Sequence, residues 1–117
     1  MAKNKDCVFC RIIAGEISAE KIYEDDNFVV INDAHPASPG HCLIIPKKHY
    51  ATSLDLPSTL GTELLDIAKK QALRLIKEGK ADGFKFVVNN LEAGGQLVPH
   101  FHFHVIPEKK DAKAKHV

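Results

Sequence analysis

The run His100-Phe101-His102-Phe103-His104-Val105 constrains this chain more than any other stretch. Successive side chains of a strand point to opposite faces. Read as a strand, the run sends His100, His102 and His104 one way and Phe101, Phe103 and Val105 the other, into a core. Same-face neighbours then stand about 6.5–7 Å apart. A polar outer face of a half-buried strand explains one such histidine. It explains three poorly, because His is not a residue that strands favour. Two chemical readings remain. One is a three-histidine metal site. The other is nucleophilic catalysis, with one imidazole attacking while its neighbours position a phosphate and relay protons. Gly94-Gly95-Gln96 lies just upstream. Glycines there let main-chain N–H groups approach an anionic oxygen closely. Alone such a pair is usually a turn, but beside a histidine row it suits a phosphate pocket better than a metal cage.

The rest of the chain bounds the setting. Its 117 residues, 44% apolar, suit one domain with a real core. Lys and Arg number 16 against 15 Asp and Glu. That balance argues against a nucleic-acid-wrapping surface, which would carry a basic excess. A small anionic ligand needs only a few local donors and stays possible. The first ten residues lack the apolar stretch of a signal peptide. No run approaches the roughly 20 apolar residues of a membrane span. A cytoplasmic protein with no membrane or nucleic-acid partner is expected. Three cysteines, Cys7, Cys10 and Cys42, make a disulfide framework a poor expectation.

Patterning predicts a short helix over Cys7 to Gly15, ended by the glycine. Strands follow over Lys21 to Glu24 and Phe28 to Asn32, joined by Asp25, Asp26 and Asn27. Asp33 to Gly40 reads as a loop and His41 to Pro46 as a third strand. The long helix is expected from Pro57 to Glu78, capped by Asp55. Its buried stripe would be Leu60, Leu64, Ile67, Ala68, Ala72, Leu75 and Ile76. Gly61 would be a weak point if interior, and Gly79 a stop. Strands over Phe84 to Val88 and Val98 to Ile106 complete the domain. Several strands around one long helix make an α+β class with a mainly antiparallel sheet. Residues 1–107 form the domain, and 108–117 a charged, flexible tail.

Cys7-Val8-Phe9-Cys10 has the spacing of a metal knuckle. On spacing alone the pair could equally be two buried thiols one helical turn apart. A redox dithiol fits less well, since no thioredoxin-like pattern surrounds it.

Gly95-Gln96-Leu97-Val98-Pro99-His100-Phe101-His102-Phe103-His104-Val105-Ile106 resembles the signature of the histidine-triad (HIT) family, His-φ-His-φ-His-φ-φ with φ apolar. Tyr23-Glu24-Asp25-Asp26, Asn32-Asp33, Pro39-Gly40-His41 and Ile45-Pro46-Lys47-Lys48-His49 resemble the first half of the same family. They are most similar to its Hint-like branch of small nucleotide hydrolases. The match runs from about Cys7 to Pro107.

The resemblance implies a HIT-like fold, a five-stranded antiparallel sheet with one long and one short helix, and a homodimer. It implies a nucleotide hydrolase or transferase acting on the α-phosphate of purine nucleotide conjugates, such as adenosine 5′-monophosphoramidate. The middle histidine, His102, would be the nucleophile and would carry a covalent nucleotidyl intermediate. His104 would stabilise phosphate charge, while His41 and His100 would orient His102 and fix its tautomer. The AMP-like part would be held by Ile12, Ile17, Ile31, Asn32, Asp33, Asn89, Gly95, Gln96 and Leu97. Main-chain N–H groups near Gln96 and Leu97 would cradle phosphate, and Asp33 would take the ribose hydroxyls. Other readings are a dinucleoside polyphosphate hydrolase, a metal-dependent hydrolase using the histidine row as ligands, and a nucleotide-binding regulatory protein with low turnover.

Some bacterial HIT proteins and the related galactose-1-phosphate uridylyltransferases pair this Cys-x-x-Cys with two histidines. The matching residues here are His49 and His100, which implies a structural zinc held by Cys7, Cys10, His49 and His100. No organic cofactor is implied. Leu97 departs from most relatives, which carry Ser or Thr there. The lost hydroxyl predicts weaker turnover of amine-leaving-group substrates, or else an apolar contact to a different leaving group.

Overall fold

A computed structural model describes residues 6–110. Strands β1 (Lys21–Glu24), β2 (Phe28–Asn32), β3 (Cys42–Pro46), β4 (Gly83–Val87) and β5 (Phe103–Glu108) form one sheet in the order β1-β2-β3-β5-β4. Every pairing is antiparallel. Helix α1 (Val8–Ile13) and helix α2 (Gly61–Lys77) complete an α+β fold with one short and one long helix.

The two helices take opposite faces of the sheet because its strands alternate. Phe28, Val30, Ile44 and Val105 join Leu64, Ile67 and Leu75 of α2 in one buried cluster. Val29, Ile31, Leu43 and Ile45 join Phe9, Cys10 and Ile12 of α1 in the other. With both faces covered, β2 and β3 are continuous apolar runs. The β1–β2 turn is closed by Asp25, whose Oδ1 accepts from the N–H groups of Asn27 and Phe28, each at 2.8 Å.

Several boundaries differ from those patterning predicts. The expected strand from Val98 enters the sheet only at Phe103. Upstream of that point the backbone bonds elsewhere. His100 N–H donates to Val98 O at 2.8 Å and Phe101 N–H to Tyr50 O at 2.6 Å. The alternation of faces nevertheless survives, with Phe101 and Val105 under α2 and His100 and His102 on the far side. At its other end β5 runs through Pro107 to Glu108, which pairs with Gly83, so a domain boundary at 107 falls inside a strand. Residues 109 and 110 are also tied down, Lys109 Nζ to Gly79 O and Lys110 N–H to Asp82. The remainder of the expected tail lies outside the described residues.

Asp55 does not cap the long helix. Its Oδ2 accepts instead from Thr52 N–H at 3.1 Å and Oγ1 at 3.3 Å. A 3-10 turn, Ser58–Leu60, intervenes and moves the start of α2 to Gly61. Gly61 therefore opens the helix rather than weakening its interior. Ile76 lies off the buried stripe and is 42% exposed.

Candidate active site

His102 is buried and fixed by a main-chain contact, with its Nδ1 2.8 Å from the carbonyl oxygen of His100. A carbonyl only accepts, so Nδ1 carries the proton and Nε2 keeps its lone pair. Phe9 of α1 stacks edge-on against this ring, with centroids 5.0 Å apart. Backbone and aromatic wall together leave one tautomer and one orientation.

A second relay sets His104. The Ala37 N–H donates to His41 Nδ1 at 3.0 Å. His41 must then hold its proton on Nε2, which lies 2.9 Å from His104 Nδ1. His104 Nδ1 accepts that proton, so its own proton sits on Nε2. That Nε2 is buried and has no hydrogen-bond partner among the described residues. An unpartnered buried donor is costly and uncommon in a folded protein. Burial pushes the His104 imidazole down to about 4 and also lowers that of His41, so both favour the neutral form. Asp33 Oδ2 lies 3.4 Å from His41 Nε2, while its Oδ1 accepts from His35 N–H at 2.9 Å. Asp33, His41 and His104 bring three donor atoms together, the arrangement through which part of the row could meet a metal.

His102 and His104 open onto a cavity of about 540 Å³ between α1, the β2–β3 loop and the loop before β5. Ile12, Ile17, Ile31, Asn32, Asp33, Asn89, Gly95 and Leu97 all line it. Phe9, Ser18, Leu43 and Val98 line it too. Patterning places Phe9 in the short helix, Leu43 in the third strand and Val98 in the last, with no part in the site; the packing of α1 across the sheet face that carries Leu43 brings Phe9 and Leu43 together there.

Three expected residues stand elsewhere. Gln96 does not line the cavity. Its Oε1 accepts from Leu91 N–H at 2.7 Å, and its Nε2 donates to Ala51 O at 2.6 Å and Val98 O at 3.0 Å. Its main-chain N–H is also committed, to Leu91 O at 3.0 Å, so it cannot serve as a phosphate donor. His41 reaches the row through His104, not through His102. His100 orients His102 by its carbonyl, not by its ring.

The ring of His100 belongs to another cluster. Its Nε2 donates to Pro46 O at 2.9 Å, which leaves Nδ1 as a lone pair. That Nδ1 lies 3.3 Å from Cys7 Sγ, 3.5 Å from Cys10 Sγ and 3.1 Å from His49 Nδ1. Cys10 Sγ is 3.2 Å from His49 Nδ1. Burial pushes the His100 imidazole down to about 4 and raises the Cys7 thiol. A four-coordinate zinc with ordinary Zn–S and Zn–N bonds places its ligand atoms about 3.3–3.8 Å apart. The observed separations, 3.1–3.5 Å, lie at or slightly inside that spacing, and all four donor atoms fall within 4.8 Å of one another, so the donor set fits zinc. Cys42, by contrast, is a core thiol raised to about 11 by burial.

Comparison with known proteins agrees with this geometry. Residues 14–111 match the model of the HIT domain. The chain is 42% identical over 105 residues to adenylylsulfatase HINT3 of Arabidopsis thaliana, covering 90% of this chain and 53% of that protein. The chain thus spans about half of that relative. It is 41% identical to a HIT-like protein of Methanocaldococcus jannaschii, covering 86% of this chain and 78% of the other. Among solved structures, a Zn-bound histidine triad family protein from Mycobacterium smegmatis superposes with a TM-score of 0.87 at 36% identity, covering 92% of this chain and 78% of that one. A histidine triad protein from Clostridium difficile gives 0.81 at 36% identity, covering 97% and 100%.

Proposed function

Because this chain belongs to the HIT domain family, we propose that it hydrolyses purine nucleoside monophosphate conjugates through a covalent nucleotidyl-His102. The observation that carries the reading is the proton on His102 Nδ1, held by His100 O, which leaves Nε2 free to attack. Neutral imidazole is a competent nucleophile near neutral pH, and its bond to phosphorus is labile.

In the first step the His102 Nε2 lone pair forms a bond to the α-phosphorus. The bond from phosphorus to the leaving group breaks, and the leaving group departs with that electron pair and takes a proton. In the second step water attacks phosphorus, the N–P bond breaks, and Nε2 regains its pair as the water proton is released. The net reaction adds OH to phosphorus and H to the leaving group. His104 Nε2–H donates to a non-bridging oxygen, where charge develops. An unpartnered donor that meets its acceptor only with substrate bound is the expected form of such a group.

The apolar wall of Phe9, Ile12, Ile17, Ile31 and Leu43 holds the base. The Asp33 oxygen nearer His41 accepts from the ribose, and Asn32, Asn89, Gly95 and Leu97 complete the pocket. Gln96 serves the site only by pinning its loop. Cys7, Cys10, His49 and His100 hold zinc, which supplies a structural cross-link between α1 and the segment that carries His102. Two protomers pair through the β4 edge, where Phe84 is exposed; Leu73 and Ile76 of α2 are exposed as well. A solution molar mass of one chain would refute that pairing.

The test is turnover of adenosine 5′-monophosphoramidate by the purified full chain. Release of AMP and ammonia is expected. A folded protein that binds AMP but releases none from phosphoramidates, dinucleoside polyphosphates or nucleotide sugars would instead support a binding role.

A further inference from the structure

The cavity beside His102 has an uncommon lining for a site that handles phosphate. Among the described residues that line it there is neither Lys nor Arg, and Asp33 supplies a carboxylate. A second anionic group beyond the reacting phosphorus would meet no fixed cation to offset its desolvation, and it would share the cavity with that carboxylate.

Two exposed apolar side chains stand at the open rim of the cavity. Leu97 lines the cavity and is 92% exposed, and Val8 of α1 lines it at 39% exposed. Apolar area left in water gains free energy from any apolar group that covers it. The backbone leading into Leu97 is pinned. Its neighbour Gln96 makes three side-chain hydrogen bonds, to Leu91, Ala51 and Val98. Leu91 sits at φ 66°, a left-handed conformation that a leucine adopts only when its surroundings impose it. Gln96 supplies that constraint, accepting from Leu91 N–H and donating its own N–H to Leu91 O. A loop fixed at this cost presents a bare leucine to the cavity.

We infer that Leu97 is a specificity-determining residue, which selects conjugates with an apolar, uncharged leaving group over those with an anionic one. The inference rests on the hydrolysis proposed above and adds the chemical class of the leaving group. When the substrate is a phosphoramidate, the P–N bond breaks and the amine departs with the electron pair. Leu97 has no proton to give, so the leaving nitrogen takes one from water.

Two adenosine 5′-phosphoramidates that share an aminoethyl arm test this, one made with 2-phenylethylamine and one with 2-aminoethanesulfonate. The scissile bond is alike in both, and only the far end changes from apolar ring to anion. Steady-state kcat/KM of the full chain should favour the phenyl conjugate by about 10-fold or more, the range that one apolar contact discriminates. Leu97→Ser should collapse most of that ratio, whereas Leu97→Met, which keeps apolar bulk, should retain it. Because the side chain is almost wholly in water, neither change disturbs the core. Equal turnover of the two conjugates, a preference for the sulfonate, or a ratio unmoved by Leu97→Ser would overturn the inference while leaving the hydrolysis intact. No turnover of either conjugate, with no adduct on His102, would remove the hydrolysis and the inference together.

Discussion

His100 holds His102 by its main-chain oxygen, 2.8 Å from Nδ1, while its own imidazole faces Cys7, Cys10 and His49. One residue therefore joins the metal-ligand cluster to the proposed nucleophile. Whatever fixes the His100 ring also fixes the carbonyl that sets the His102 tautomer.

Cys10→Ser should accordingly do two things. Zinc, expected at about one ion per protomer when all four ligands are present, should be lost, because thiolate ligation supplies folding free energy. Turnover should fall further than the loss of folded protein explains. Elemental analysis, a thermal melt and active-site titration on the same preparations check this. Zinc-free wild-type protein with unchanged melting and turnover would leave the pair as ordinary core thiols.

The two relay histidines should differ in severity. His104→Ala removes the unpartnered Nε2 donor and should lower kcat by about 10²–10³, the cost of losing one donor to a developing charge. His41→Ala leaves that donor in place but frees its tautomer, so a smaller loss of about 5- to 30-fold is expected. AMP affinity should change little in either. The reverse order of severity would contradict the tautomer assignment.

The division of labour among the histidines shows how much was legible in the sequence. The alternating run correctly separates Phe101 and Val105 from His100 and His102, because facing follows residue parity wherever the backbone is extended. It cannot show that hydrogen bonding to β3 begins only at Phe103, which depends on Tyr50 capturing the Phe101 N–H. Nor can it divide three equivalent-looking imidazoles. His100 leaves the row because Cys7, Cys10 and His49 converge on it from distant segments, and only tertiary packing brings them there. The continuous apolar runs of β2 and β3 were readable as strands, yet the use of Phe9 and Leu43 as cavity wall was not, since core and pocket residues share one composition.

Stability should depend on pH through His104. Its folded pKa of about 4 lies below its ordinary value of 6.5, because burial disfavours the charged ring. The unfolded state then binds more protons below pH 6.5. This contribution is complete above 6.5 and is lost as pH falls toward about 4. His41 is shifted the same way. Melting temperature should drop over that interval, and His104→Asn should flatten the slope. A slope unchanged in the variant would show that other groups carry it.

Gln96→Ala removes three side-chain hydrogen bonds that pin the loop bearing Gly95 and Leu97. A loss of roughly 1–3 kcal/mol is expected, with KM for nucleotide conjugates raised as the loop relaxes. Chemical denaturation and steady-state kinetics measure both. Normal KM with normal stability would refute the pinning role.

The central claim is that His102 Nε2 forms a bond to phosphorus, and intact-mass analysis with peptide mapping of a rapidly quenched reaction tests it most directly. Wild-type protein mixed with adenosine 5′-monophosphoramidate should gain the mass of one adenylyl group, mapped to the peptide containing His102, within the lifetime of the adduct. His102→Ala should remain folded, bind AMP, form no adduct and release no AMP above background. Normal turnover by folded His102→Ala, or an adenylyl group mapped to another residue, would contradict the account.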